Sequence, residues 1–301
     1  MSTIVTSGGL GNQFFQSLAL SILVEKNNLK VTYNTMNKFR FFDILYEGTL
    51  SYDRTTILNE STFFELLESY PIQNNILVQR ETFFQNKEIS NYYYQYLRKE
   101  EIQQRVMKAN PYKTRYGCGI RSKAEDNHAY SEGLRRSPEE YDNNTDIFIH
   151  IRLKDTEPWN PGIQYYLRAI QQINPDNNKQ IYIASDDITH NIIQEIIKKY
   201  SNTVVLDPYK ISIWEKLCNN ELYIEKCQQK KTPIFTDDFS EYDTIQFGCT
   251  CKYIILSHGT FSAMIGLLAY HSDVYYPDYN YSIRWHGDIF SIPSWKKIDK
   301  N

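Results

Sequence analysis

Four polar stretches interrupt apolar runs in this chain, and each has residue types able to hold a charged ligand. The first is His150-Ile151-Arg152-Leu153-Lys154-Asp155-Thr156-Glu157. His150 and Arg152 alternate with Ile149 and Ile151, so both point to one side of a strand. Arginine at a strand's carboxyl end suits a bidentate grip on a phosphate. An Arg–Asp ion pair that merely holds the loop would use the same residues. The second is Ser185-Asp186-Asp187, directly after Ile181–Ala184, where Asp186 or Asp187 would also serve as N-cap of the next helix. The third is Ser257-His258-Gly259-Thr260-Phe261-Ser262, followed by a run without charge as far as Tyr270. A helix starting there offers free N–H groups and a positive dipole end to a phosphate. The fourth is Gly8-Gly9-Leu10-Gly11-Asn12-Gln13. Its glycines permit positive φ and close approach of backbone to a ligand. Its spacing is neither GxGxxG nor a P-loop. A tight strand-to-helix connection is the alternative use.

The elements that must position these residues alternate along the chain. Thr3–Thr6 reads as a strand and Phe14–Leu23 as a helix, followed by strands at Leu29–Tyr33 and Asn75–Gln79. Thr62–Leu67 opens a helix, with Thr62 and Glu65 spaced as a capping box. Glu88–Met107 reads as one long helix whose Tyr92, Tyr93, Tyr94 and Tyr96 cannot share a face. Asn110–Asp146 lacks periodicity and carries Arg115, Arg121, Lys123, Arg135 and Arg136. It reads as a loop-rich link, or as a mobile basic flap over an anionic ligand. Beyond it the order is strand at Asp146–Arg152, helix at Gly162–Ile173, strand at Gln180–Ala184, helix at Asp187–Tyr200 and strand at Thr203–Leu206. Then follow a helix at Asp238–Cys249, a strand at Lys252–Leu256, the uncharged helix and a short strand at Val274–Tyr276. This βαβα order implies doubly wound parallel sheets. In such sheets ligands gather at the carboxyl ends of the strands, where three of the polar stretches of the second half fall. With 301 residues, two Rossmann-like domains are expected, 1–145 and 146–301.

Composition narrows the function classes. Hydrophobic residues are 41% and charged residues 23%, enough apolar content for a sizeable core. A net charge of -3 argues against a dedicated nucleic-acid binder. The five cysteines, Cys118, Cys218, Cys227, Cys249 and Cys251, have no zinc-ribbon spacing and read as buried thiols in a reducing compartment. No apolar run approaches the roughly 20 residues of a membrane span, and no signal peptide is legible. A cytoplasmic protein is expected, with a peripheral place at a membrane left open. No D-x-D or other convincing metal site is present, since Ser185-Asp186-Asp187 is D-D, so no metal and no cofactor are expected.

Three of these stretches together resemble the bacterial α-1,2-fucosyltransferases, glycosyltransferase family 11. Gly8-Gly9-Leu10-Gly11-Asn12-Gln13-Phe14-Phe15-Gln16 resembles that family's N-terminal signature. His150, Arg152 and Asp155 match its H-x-R-R-x-D motif, with Leu153 in place of the second arginine and Lys154 after it. Cys251-Lys252-Tyr253-Ile254-Ile255-Leu256-Ser257-His258-Gly259-Thr260-Phe261-Ser262 matches its later motif, with His258-Gly259 where the family has Asn-Ser. Order and spacing follow the family from Gly8 to Ser262. The resemblance implies a GT-B-like fold, two Rossmann-like domains facing across a cleft, and inverting, metal-independent transfer of fucose from GDP-β-L-fucose to the 2-hydroxyl of a terminal galactoside. Its partners would be the nucleotide sugar and an oligosaccharide acceptor. Arg152, with the N–H groups at Thr260–Ser262, would neutralise the leaving β-phosphate, and Asp155 or Glu157 would be the base. His150, Asp186, Asp187, Asp243, His258, Gly259 and Phe261 would complete the donor site, with Asp243 or Asp187 accepting from guanine. Gly8, Gly9, Gly11, Asn12 and Gln13 would face the cleft from the first domain. The departures leave room for another donor or acceptor, or for an inactive relative that binds a nucleotide sugar or glycan.

Overall fold

The structure is a computed structural model, and it describes residues 1–34, 39, 42–116, 145–173, 179–206, 240–278 and 286–299. The basic positions Arg121, Lys123, Arg135 and Arg136, with Cys118, Cys218 and Cys227, lie outside the described residues. The strands are β1 Ser2–Ile4, β2 Val31–Tyr33, β3 Thr55–Leu58, β4 Asn75–Val78, β5 Ile147–Ile151, β6 Ile181–Ser185, β7 Thr203–Leu206, β8 Tyr253–Ile255, β9 Asp273–Pro277 and β10 Lys296–Ile298. The helices are α1 Leu10–Asn27, α2 Phe63–Glu68, α3 Lys87–Leu97, α4 Glu100–Ala109, α5 Ile163–Ile173, α6 Asn191–Lys199, α7 Glu241–Gly248 and α8 Gly259–Leu267. Among the described residues no helix is long and apolar enough to cross a membrane.

Two parallel sheets organise this α/β chain. One has the order β2-β1-β4-β3, the other β10-β9-β8-β5-β6-β7. Pairing is parallel between β1 and both β2 and β4, and between β5 and both β6 and β8. In each sheet the strand order reverses beside the first strand of its half, at β1/β4 and at β5/β8. Such reversals are where an open α/β sheet leaves a crevice at its carboxyl edge. β5, β6 and β7 are buried along their whole length, as β-branched runs covered on both faces should be.

By contact the chain divides into two compact units. The first comprises Met1–Asn110, Leu256–Tyr270 and Tyr276–Asn301; the second comprises Pro111–Ile255 and His271–Tyr275. The sequence-based division at 145/146 follows chain order, whereas here α8 leaves the second unit at Leu256 and joins the first. Within the first unit α8 packs against α1. Both are buried nearly all round, and α8 is buried from Gly259 to Leu267.

Several local expectations are corrected. The tyrosine-rich segment is two helices rather than one, broken at Arg98-Lys99 with Lys99 extended as the N-cap of α4. The turn lets Arg98 donate from Nη1 to Leu267 O (3.0 Å) and from Nη2 to Ala269 O (2.7 Å), satisfying carbonyls at the end of α8. Its guanidinium lies 3.5 Å from the Tyr94 ring centroid. Tyr93 and Tyr96 are buried on the α1 side, with Tyr93 donating to Phe15 O at 3.0 Å and Tyr96 to Glu25. Thr62 makes no capping box: its hydroxyl accepts from Asn59 N and donates to Ile57 O. Arg115 belongs to no mobile flap. It is buried, donating to Asp146 Oδ2 at 2.9 Å and to Thr250 Oγ1 at 3.0 Å, with its guanidinium 4.5 Å from the Phe247 ring centroid.

Candidate active site

In the second unit the polar stretches sit where the sheet order requires. β5 pairs with β6 through His150↔Ala184 and Ile151↔Ser185, so Arg152 and Asp186 leave neighbouring strand ends together. β8 lies on the other side of β5, with Ile149 opposite Ile255. Arg152 is partly exposed, while Leu153 is 1% exposed. The residue standing for the second arginine of the resembled motif is therefore a core side chain and offers a ligand nothing. Lys154 to Trp159 form a 3-10 turn that includes Asp155 and Glu157, whose side chains lie outside the described residues.

His150 is buried beside Arg152. Burial first, and the Arg152 charge second, lower its pKa from 6.5 to about 3. It is neutral at physiological pH, so Arg152 supplies the positive charge of that strand end.

The two aspartates at the β6 end are engaged locally. Asp186 Oδ1 accepts from Leu153 N at 2.7 Å. Asp187 Oδ1 accepts from Thr189 N and Oγ1, at 3.0 and 2.7 Å, closing an Asx turn. Neither caps α6. That N-cap is His190, whose Nδ1 accepts from Ile192 N at 3.3 Å, a residue the sequence reading passed over. Asp243 forms a capping box with Ser240 at the start of α7 and accepts from the Tyr112 hydroxyl at 3.3 Å. A carboxylate at N3 suits the helix dipole.

The first unit brings together two stretches almost 250 positions apart. Gly11 is buried in the first turn of α1, and a Cβ there would fall onto the Phe261 amide nitrogen and the Thr260 carbonyl carbon. Only glycine lets the starts of α1 and α8 approach so closely. Asn12 Oδ1 accepts from Thr260 Oγ1 at 2.6 Å and from Gln85 Nε2 at 2.9 Å. Gln13 Nε2 donates to Gly8 O at 2.7 Å. Gln16, also buried, accepts from Ser7 N at 3.0 Å and donates to Thr82 O at 2.9 Å, tying the turn after β1 to the loop after β4. Asn12 and Gln13 thus brace the turn with their side-chain amides. Gly8, with φ 78°, and Gly9 are the exposed part, and a Cβ at Gly9 would meet nothing within 4 Å.

Both helix starts lack side-chain caps and both lack acidic residues in their first turns. The N-cap of α1 is Gly9, and that of α8 is His258, which is buried with Ser257 Oγ at 3.3 Å from its Nδ1. Gly259 holds φ 85°, which lets the chain turn from β8 into α8. The positive dipole ends of α1 and α8 therefore have neither a side-chain cap nor an acidic residue of their own first turns. Phe261 and Ser262 are buried in the first turn of α8.

Two residues the sequence reading missed also belong here. Asn160 grips the Arg152 carbonyl, and Gln85 completes the bracing of Asn12. Gln85 follows Phe83-Phe84 and Asn160 lies in Trp159-Asn160-Pro161-Gly162, but their partners, Asn12 and a backbone carbonyl, leave no mark in the local sequence. Among the described residues no three His, Cys, Asp or Glu side chains gather as a metal would require. Compared with known proteins, the chain matches no family model and no curated sequence. Among solved structures it is similar to the E. coli heptosyltransferase WaaC with ADP, at 8% identity and a TM-score of 0.41, over 99% of this chain and 91% of that one.

Proposed function

We propose that the protein is a GT-B-type inverting glycosyltransferase that moves L-fucose from GDP-β-L-fucose to the 2-hydroxyl of a terminal galactoside without a metal ion. One observation carries the reading. The first and last stretches of the resembled pattern, Gly8–Gln16 and Cys251–Ser262, meet as a single packed feature through Gly11 against Thr260-Phe261 and Asn12 on Thr260. A chance likeness of two separated motifs would not be expected to make them mutual packing partners.

The chemistry follows from charge. Breaking the bond between fucose and phosphate leaves negative charge on the β-phosphate. Arg152 can neutralise it without a cation. Asp155 or Glu157, just beyond Arg152, is the base that accepts the proton of the acceptor hydroxyl as it attacks from the face opposite the leaving group. Neutral His150 lines the strand end without competing for the anion. Asp187 and Asp243 stand as candidates for the guanine N–H groups. The protein acts in the cytoplasm, with a peripheral place at a membrane compatible with the reading.

A second reading is favoured by Leu153. With that position in the core, one cation of the resembled pattern is gone, so a GT-B transferase using a different donor or acceptor, or an inactive relative that binds a nucleotide sugar, is the alternative. Calorimetric titration with GDP-fucose, GDP-mannose, UDP-galactose and UDP-glucose separates them. Selective binding of GDP-fucose is expected; selective binding of a UDP-sugar contradicts the donor assignment.

A further inference from the structure

The peptide group between Arg152 and Leu153 is held at both ends by side chains from different elements. Its carbonyl oxygen accepts from Asn160 Nδ2 at 2.8 Å. Its N–H, carried by Leu153, donates to Asp186 Oδ1 at 2.7 Å. Asn160 is itself fixed, because its Oδ1 accepts from Gly162 N at 2.9 Å and its Nδ2 also reaches the Tyr166 hydroxyl at 3.1 Å. Tyr166 is fully buried on α5, and Gly162, with φ 84°, allows the turn that returns the chain to that helix. Asp186 follows directly on Ser185, which pairs with Ile151 across β5 and β6. Leu153, buried at 1% exposure, pins the next residue.

A peptide plane gripped at oxygen and nitrogen cannot flip without breaking two hydrogen bonds, so ψ of Arg152 is set. That fixes the direction in which Cα–Cβ of Arg152 leaves the strand. A long side chain that must meet a phosphate oxygen bidentately loses most from a misdirected stem. Resting on the phosphate role given to Arg152 above, we propose that Asn160 and Asp186 are positioning residues: they clamp the Arg152–Leu153 peptide and aim the Arg152 guanidinium at the donor's diphosphate.

The charge of Asp186 makes the clamp separable from plain electrostatics. Removing a negative charge beside a phosphate site should tighten anion binding if charge alone matters. If the clamp matters, Asp186→Ala weakens GDP binding despite the lost charge. Asp186→Asn, which keeps an acceptor for Leu153 N, binds GDP more tightly than Asp186→Ala.

The experiment is GDP titration by calorimetry on the full chain, with melting temperature as the fold control. Asn160→Ala and Asp186→Ala are each expected to weaken binding about three- to tenfold. In an Arg152→Ala background Asn160→Ala is expected to change GDP affinity no further, since its effect passes through Arg152. An equal loss in both backgrounds, or tighter binding by Asp186→Ala, overturns the clamp while leaving the phosphate role of Arg152 intact. Wild-type GDP affinity in folded Arg152→Ala alone overturns that role, and the clamp with it.

Discussion

A histidine held neutral beside an arginine leaves a signature in stability. His150 has its pKa lowered from 6.5 to about 3 in the folded chain, chiefly by burial. Between those values the unfolded chain binds a proton that the folded chain refuses. Stability is therefore full above about pH 6.5 and falls as pH drops towards 3, by up to about 1.4 kcal/mol per pH unit from this group. Urea unfolding at several pH values should show that slope in the wild type and a shallower one in His150→Gln. Equal slopes would mean that His150 takes up its proton in the folded state. Cys251 behaves in a parallel way. Burial pushes its thiol up to about 12, so it stays protonated and unreactive in the folded chain, and the Arg115 guanidinium 3.5 Å away offsets only part of that. Legibility at this scale was uneven. Arg152 stands out because a charge ends an apolar strand. Asn160 does not, because its partner is a backbone carbonyl eight residues back.

Among the elements, the starts of α1 and α8 carry the argument. Gly11 and Gly9 sit two residues apart and should respond in opposite ways. Gly11→Ala drives a methyl into the backbone of Thr260 and Phe261, and overpacking of that kind costs about 1–3 kcal/mol. Gly9 has open space and φ -67°, ψ 171°, ordinary for any residue. Gly9→Asp should supply the missing N-cap and raise stability by about 0.5–1 kcal/mol. If the start of α1 meets the nucleotide's phosphates, the added carboxylate lowers nucleotide affinity. Urea unfolding and GDP titration of the one variant read both effects. A Gly9→Asp protein that gains stability and keeps its GDP affinity would reduce the α1 start to a packing feature. The elements themselves were mostly readable, because buried parallel strands such as Ile181–Ala184 are apolar runs bounded by polar turns. β3 was missed: Thr55-Thr56-Ile57-Leu58 is a short edge strand with an exposed side. The break between α3 and α4 was missed because no glycine or proline marks it, and the reason for it, Arg98 reaching the end of α8, lies far along the chain.

At the scale of the whole molecule, the βαβα order was enough to expect two parallel sheets, and each is present with its strand order reversing beside β1 or β5. What chain order could not reveal is that α8 and the last residues count with the first unit. Helix affiliation is decided by which apolar surface buries the helix, and an all-apolar helix such as α8 carries no sign of its partner. The central claim, metal-independent fucosyl transfer with Arg152 on the leaving phosphate, is tested most directly by release of GDP. The folded protein is incubated with GDP-β-L-fucose and a galactoside in excess EDTA, beside folded Arg152→Ala. The account predicts GDP release that requires the acceptor and survives the chelator, an α-1,2-linked product, and a loss of at least about tenfold in Arg152→Ala, the loss of a charged hydrogen bond to phosphate being worth about 1.5–3 kcal/mol. Release that EDTA abolishes and added Mn²⁺ or Mg²⁺ restores, or an Arg152→Ala protein with wild-type turnover, would contradict it.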